Sequence, residues 1–475
     1  MWNKYFFTLT GITKKFLPAI MAFTGALFIT AFVVWAFSLH GTSGLFHVNG
    51  IFHTIFILLF ISIGILLALG ISYICFSSRL KPLTYRLFTI VTITFALPNL
   101  IAPPLTYAYT SGYFSGSIGD TPPQLIMTAA SGVYGLPNLA LTFNSAQPTC
   151  NTIVWGTTEN SISITEEKSS RQHVFILHDL QPSTSYTYRI NNGSSSSFTT
   201  PSADGVLHFA VCSDAHFGAG NNHSDLTAAM LQSIANPANH YNLLFSLGDL
   251  VDYGFSASQW HEAFSAFSAT TSSIPALFAL GNHDSVFTGI NLYKEYAHPA
   301  DIGVANHSQL WHRIDIGKIH FLVLDIEWSA ESYTPVQAAW LEAQLKDIPV
   351  DDWKIVMGHG FYYSSGSTKT GWDWFDNPET INSLTPLFEK YGVDIVFSGH
   401  NHQMELLQHN GVTYVICGAF GGRPNQIRDY TSPASLWYQH EQYGFVDVSL
   451  SGNQCSITFR DNEYQALKTL TIEKK

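Results

Sequence analysis

Residues 207–216 read Leu-His-Phe-Ala-Val-Cys-Ser-Asp-Ala-His, an apolar run that ends on a carboxylate and an imidazole two positions apart. A run of this length bounded by polar residues has the signature of a buried strand. At a strand end, alternate side chains point the same way, so Asp214 and His216 can aim at neighbouring points. The pattern recurs along the chain. Leu243 to Leu247 leads into Gly248-Asp249-Leu250-Val251-Asp252, and Ala276 to Leu280 into Gly281-Asn282-His283-Asp284. Ile355 to Met357 leads into Gly358-His359, and Ile395 to Ser398 into Gly399-His400-Asn401-His402. Ile319 to Leu324 is a further apolar strand, and helical stretches such as Leu226 to Ile234 and Val336 to Leu345 lie between. Strands alternating with helices, with polar clusters at the strand ends, predict an α/β sandwich that carries its function at those ends.

Any one of these clusters alone is weak, because an Asp-x-His or a Gly-His at a strand end is more often just a turn. Five in succession, all built from carboxylate, amide and imidazole groups, point to metal binding. Asp and His suit Mn, Fe, Zn or Ni. The five cysteines form no CxxC pair, which argues against a thiolate zinc site. Two ions roughly 3.5–4 Å apart with a bridging hydroxide can clamp an in-line phosphoryl transfer, and one Asp must then serve both. Glycines at 248, 281, 358 and 399 are expected where the backbone turns tightly at the crowded centre.

The five clusters match, motif by motif, those of the calcineurin-like metallophosphoesterase superfamily, and with the strands that precede them the region 124–470 resembles a purple acid phosphatase. The resemblance implies a four-layer αββα sandwich and a dinuclear centre of two transition-metal ions, Fe, Mn or Zn. It implies one metal on Asp214, His216, Asp249 and His402, and a second on Asp249, Asn282, His359 and His400, with Asp249 bridging. It also places His283 near the leaving group as acid or electrostatic stabiliser, oriented by Asp252. Two departures stand out. Purple acid phosphatases carry a metal-binding Tyr three positions after the second-motif Asp and lack the first-motif His; here Asp252 holds that position, Tyr253 follows it, and His216 is present. In the protein phosphatase branch an Arg follows the Asp that corresponds to Asp252; Arg423, in Gly421-Gly422-Arg423-Pro424, is a candidate replacement, although a surface arginine is an equal reading.

Upstream, residues 124–200 hold short alternating runs (Leu139 to Phe143, Thr152 to Trp155, His173 to Leu177, Tyr186 to Ile190) separated by turn residues, which predict a small β-sandwich. The stretch Leu180-Gln181-Pro182-Ser183-Thr184-Ser185-Tyr186-Thr187-Tyr188 resembles the corner of fibronectin type III-like domains. Residues 109–123, rich in Ser, Gly, Thr and Pro, read as a linker, and 201–475 as the catalytic domain.

The first 108 residues read as a membrane region. Apolar runs at about 16–39, 51–76 and 87–107 are long enough to span, the third weakened by Pro98, Pro103 and Pro104. Lys4, Lys14 and Lys15 precede the first run and Arg79, Lys81 and Arg86 follow the second, whereas 40–50 and 110–124 hold no Lys or Arg. This alternation predicts an integral membrane protein with its catalytic domain on the non-cytoplasmic side. Sequons at Asn192, Asn222 and Asn306 suit an exported domain. The chain carries 22 Lys+Arg against 34 Asp+Glu, a net charge of -12, so no nucleic-acid partner is expected. Cys150 and Cys455 could pair in an oxidising compartment. His173, His178, His208 and His320 read as structural, and the aromatic stretch Trp372 to Asn377 as core or substrate wall.

The expected function is a membrane-anchored, metal-dependent phosphoester hydrolase acting on phosphomonoesters. Alternatives are a phosphodiesterase or nucleotide- or lipid-phosphate hydrolase, or, as a non-enzyme, a surface receptor or adhesion module with a decayed hydrolase fold. The sequence leaves the oligomeric state open.

Overall fold

The computed structural model describes residues 119–474 except 203, 221, 287–288, 297–309, 369–374 and 426–427. The three expected spans and most of the linker lie outside the described residues. Among the described residues no helix is long and apolar enough to cross a membrane.

Twenty strands run in chain order through the described unit. They are β1 (Gln124–Ser131), β2 (Pro137–Thr149), β3 (Thr152–Gly156), β4 (Ser161–Thr165), β5 (Ser170–Leu177), β6 (Ser185–Ile190) and β7 (Ser195–Thr199). Then come β8 (Val206–Cys212), β9 (Leu243–Ser246), β10 (Ala276–Phe278), β11 (His312–Ile316), β12 (Ile319–Val323), β13 (Trp353–Met357) and β14 (Ile395–Ser398). The rest are β15 (Met404–His409), β16 (Val412–Cys417), β17 (Ser435–Gln439), β18 (Gly444–Ser451), β19 (Gln454–Asp461) and β20 (Ala466–Glu473). Five helices are interleaved: α1 (Ser224–Ala235), α2 (Ala257–Thr271), α3 (Gly289–Tyr296), α4 (Pro335–Asp347) and α5 (Pro378–Tyr391).

The helices start where local chemistry starts them. Thr334 caps α4 by accepting from the Gln337 N–H, and Asn377 caps α5 by accepting from Glu379 and Thr380, each just before a proline. Gly392, at φ 64°, ends α5 in the left-handed conformation.

Strand alternation then builds the layers. In β8, Phe209 and Val211 face an apolar core shared with Phe321 and Val323 of β12, Ile355 and Met357 of β13 and Phe397 of β14. Ala210 and Cys212, one position over, face α1 and α2 through Met230, Leu231, Phe264 and Phe267. On the second sheet, Leu322, Val356 and Val396 turn outward onto Leu341, Leu345, Leu384 and Phe388 of α4 and α5. The order helix, sheet, sheet, helix therefore follows from strands that are apolar on both faces. The first sheet runs β20-β19-β18-β8-β9-β10-β1-β2-β5 and the second β11-β12-β13-β14-β16-β15-β17, with a third, β4-β3-β6-β7, beside them.

The seven strands between 124 and 199 do fall on two sheets, but one of these is not separate. β1 pairs in parallel with β10, register Ile126 to Ala276, so β1, β2 and β5 extend the first large sheet. The apolar cluster is continuous as well, running from Leu125, Ile153 and Trp155 to Phe209 and Phe397. Residues 115–475 form one compact unit. The Tyr186 hydroxyl accepts from the Gln181 N–H at 2.8 Å, which closes the corner at 180–188. Cys150 is exposed, Cys455 is buried, and both are free thiols, so the possible Cys150–Cys455 pair is not formed. Three of the four histidines read as structural have ion-pair partners: His173 with Glu166, His208 with Asp447, and His320 with Asp315 and Asp352.

Phe209 is fully buried and lies edge-on to Phe245, Phe321 and Phe397 at 5.4, 5.6 and 6.3 Å between ring centroids, tying the two large sheets together. Phe209→Ala should cost about 3–5 kcal/mol, read as a lowered urea midpoint. An unchanged midpoint would show that the two sheets do not depend on this contact.

Candidate metal centre

Every ligand candidate lies just past the C-terminal end of a strand. β8, β9 and β10 are parallel neighbours in the first sheet, and β13 and β14 in the second, so within each sheet the ends emerge on one edge. The loop after β8 runs beside the loop after β9, with Asp214 N donating to Gly248 O and His216 N to Asp249 O. A contact across the two sheets completes the frame: His359 Nδ1 lies 2.8 Å from the Leu247 carbonyl.

The backbone is driven into rare conformations here. Asp214, His216, Asp249 and His400 have φ of 64°, 49°, 50° and 66°. Such left-handed non-glycine residues cost about 1–3 kcal/mol each and persist only where surrounding structure holds them. Gly281 is required for another reason, since a Cβ there would lie 2.2 Å from Asp249 Oδ1. Gly358 has no such constraint, because a Cβ would meet its nearest neighbour at 3.4 Å.

Two groups of ligands result. Asp214, His216 and His402 form one, and Asp249, His359 and His400 the other, each with ligand atoms within 4.8 Å of one another. Asn282 joins the second group, its Oδ1 lying 2.9 Å from His400 Nδ1 and 3.1 Å from His359 Nε2. Asp249 stands between the groups: its Oδ2 is 3.5 Å from His216 Nε2 and 3.2 Å from His359 Nε2.

Four of the side chains are anchored by one atom and present the other. Asp214 Oδ2 accepts from the His400 N–H, and Asp249 Oδ1 from the His283 N–H. His359 Nδ1 donates to Leu247 O, and His402 Nδ1 to Arg423 O at 2.7 Å. When neutral, these rings therefore turn an Nε2 lone pair inward. His359 Nε2 and Asn282 Oδ1, 3.1 Å apart, are then two acceptors facing each other. Asp214 Oδ1 is buried with no hydrogen-bond partner. A buried carboxylate oxygen left in that state is expensive unless a cation meets it. The donor set thus fits metal ions, with Asp249 placed to touch both.

Proton affinities express the same demand for positive charge. Burial works against a charged His216, yet the carboxylates of Asp214, Asp252 and Asp249 push it up to about 10. Burial likewise opposes, and Asp249 and Asp214 outweigh it, so that His359 rises to about 9. His400 moves the other way: burial and then the neighbouring His359 hold it well below the usual imidazole range, which favours the neutral ring a metal needs.

The structure also places groups that the motifs did not mark. Phe361 stacks on the His400 ring at 5.7 Å and Trp328 meets it edge-to-face at 4.3 Å. Phe361 lies two residues past His359 in an apolar-looking run, whereas Trp328 has no sequence signal. The Asp252 carboxylate lies between two rings, 3.5 Å from His283 Nδ1 and 3.7 Å from His216 Nδ1. His283 is held more closely by the Asp252 carbonyl, at 2.9 Å from Nδ1. His216, Asp252 and His283 also close tightly enough to hold an ion. Asp284 accepts from Val251 N and Gly281 N, tying the second and third loops. Arg423 contributes its carbonyl, and its side chain is exposed.

Residues 207–404 match the calcineurin-like phosphoesterase family model. Over 258 residues the chain is 26% identical to a nucleotide pyrophosphatase/phosphodiesterase of Hordeum vulgare, covering 46% of this chain and 68% of the relative. It is 24% identical over 302 residues to purple acid phosphatase 18 of Arabidopsis thaliana, covering 60% and 66%. It is 25% identical over 331 residues to probable inactive purple acid phosphatase 27 of the same plant, covering 58% and 53%. The chain spans about half the length of several curated relatives it matches. Among solved structures, the purple acid phosphatase PPD1 from yellow lupin (Lupinus luteus) seeds superposes with a TM-score of 0.63 at 18% identity, covering 75% of this chain and 74% of that one. That likeness establishes the fold.

Because one Asp249 oxygen faces both groups, Asp249→Ala should empty both metal positions together, read as metal content per chain by elemental analysis. Full occupancy in that variant would remove Asp249 from the ligand set.

Proposed function

We propose that the calcineurin-like phosphoesterase domain at residues 207–404 hydrolyses phosphoesters at a dinuclear metal centre, with phosphomonoesters as its substrates. The observation that carries this reading is the position of Asp249 Oδ2 between the two ligand groups, beside a buried Asp214 Oδ1 that faces the Nε2 atoms of His402 and His216. The relatives support the reaction class, since they include purple acid phosphatases. A decayed hydrolase serving as receptor or adhesion module would be expected to lack a ligand, and each expected position keeps a ligating side chain.

Asp214, His216, Asp249 and His402 would hold one ion, and Asp249, Asn282, His359 and His400 the other. When bound, two such ions supply Lewis-acid activation of water and neutralise phosphate charge. What the chain itself must still provide is a proton for the departing oxygen. His283 is suited to that task. Its Nδ1 donates to the Asp252 carbonyl, so in the charged ring Nε2 holds the proton that can be given up. Burial opposes its charged form, but Asp249 and then Asp252 raise its affinity for the proton. Its ring stands edge-on to His216 at 4.6 Å, beside the first ligand group. The Asp252 carboxylate, shared with His216, steadies both rings.

A phosphodiesterase is the second reading, supported by the similarity to the Hordeum vulgare nucleotide pyrophosphatase/phosphodiesterase. Rates of the purified chain on aryl phosphate mono- and diesters separate the two. The charge alternation in the first 108 residues also supports a membrane-anchored protein with this domain outside the cytoplasm. A reporter active only in the cytoplasm, fused after Lys475, should stay silent; a signal from it would reverse the topology.

His283→Ala should keep its metal and its fold while turnover drops roughly 10²–10⁴-fold. The loss should be larger for an alkyl phosphate than for nitrophenyl phosphate, whose leaving group needs little protonation. Asp252→Asn should show a milder loss. Equal slowing of both substrates, or loss of a metal from His283→Ala, would assign His283 to the structural frame instead.

A further inference from the structure

The turn 399–403 has two faces. His400 and His402 enter the metal centre, and the alternate residues Asn401 and Gln403 point the opposite way, where both are fully buried. There they meet a polar network that the proposed mechanism does not use. Asn401 Nδ2 donates to Ser364 Oγ at 2.6 Å, and Gln403 Nε2 lies 3.0 Å from Ser364 Oγ and 2.9 Å from the Ser365 carbonyl. Glu405, fully buried at the start of β15, closes the network. Its carboxylate accepts from Ser365 Oγ at 2.6 Å, from the Ser365 N–H at 2.8 Å and from Gln403 Nε2 at 2.9 Å. Gln403 Oε1 in turn accepts from Asn425 Nδ2 at 3.1 Å.

A carboxylate buried this deeply is tolerated only because several donors meet it. Among its donors are Ser365, six residues past His359, and Gln403, which follows His402 directly. The network therefore fastens the segment carrying His359 to the turn carrying His400, whose ligand atoms lie 3.2 Å apart on the far side.

We infer that Glu405 and Gln403 are positioning residues, which set the spacing of His359 and His400 for a metal ion without touching it. This rests on the dinuclear reading above. Groups that orient ligands from behind typically cost 10–100-fold in metal affinity when removed. Glu405→Gln keeps the volume but sets an amide N–H against donors, and it risks misfolding. Ser364→Ala is the milder companion, removing only the hydroxyl that receives Asn401 and Gln403.

The test is titration of the metal-stripped full chain with Mn2+ by calorimetry, with thermal melting of the stripped proteins alongside. Wild type should bind two ions. Ser364→Ala, and Glu405→Gln where it folds, should bind one of the two about 10–100-fold more weakly, with the stripped Ser364→Ala protein melting as wild type does. Unchanged affinity at both positions in Ser364→Ala overturns the inference and leaves the dinuclear reading intact. A melting point that falls in step with affinity also overturns it, since the network would then be general core support. A wild type that binds no Mn2+ removes the dinuclear reading, and this inference with it.

Discussion

The structure is organised around an electrostatic constraint: carboxylate, amide and imidazole acceptors are brought together in a buried cleft whose own groups cannot satisfy them. Asp214 Oδ1 is buried against the Nε2 atoms of His402 and His216 without a well-formed hydrogen bond, and when the rings are neutral His359 Nε2 faces Asn282 Oδ1 as one acceptor faces another. A protein folds into such an arrangement only if the surrounding frame is strong enough to hold it or if cations relieve it. Both conditions are visible here, the frame in the backbone anchors behind Asp214, Asp249, His359 and His402 and the demand for cations in the raised proton affinities of His216 and His359.

The frame begins with parallel strands. Because β8, β9 and β10 run the same way, their C-terminal loops lie side by side, and the same holds for β13 and β14. Packing the two sheets face to face through Phe209, Phe245, Phe321 and Phe397 then brings the two sets of loops to one place. The apolar alternation that buries the strands and the polar ends that carry the candidate ligands are thus parts of one pattern. The strained φ values at Asp214, His216, Asp249 and His400 show the tight turns this requires.

Asp252 illustrates how a role read from motifs is refined by geometry. Resemblance makes it the orienter of His283, yet its carbonyl is the nearer partner of that ring, and its carboxylate is shared with His216. A substitution there therefore acts on His216 as well as on His283. The region before the catalytic strands is similar. Its alternating runs are strands, but β1 joins β10, so β1, β2 and β5 extend the catalytic sheet while β3, β4, β6 and β7 form a sheet of their own.

Local sequence by itself determined the strands, several helices and the five polar clusters, because period-two alternation and polar residues at strand ends leave their mark within a few residues. It determined the chemical character of the site too, since the ligand types are written in the motifs. Only the tertiary structure decided which oxygen of Asp249 faces both groups, that the Leu247 and Arg423 carbonyls fix two imidazoles, and that Trp328 and Phe361 pack on His400. Those contacts join residues tens to more than a hundred positions apart, and backbone carbonyls look the same at every position, so nothing local encodes them. The pairing of β1 with β10 was hidden for the same reason: register between distant strands is set by which faces find a common core, not by the strand's own pattern.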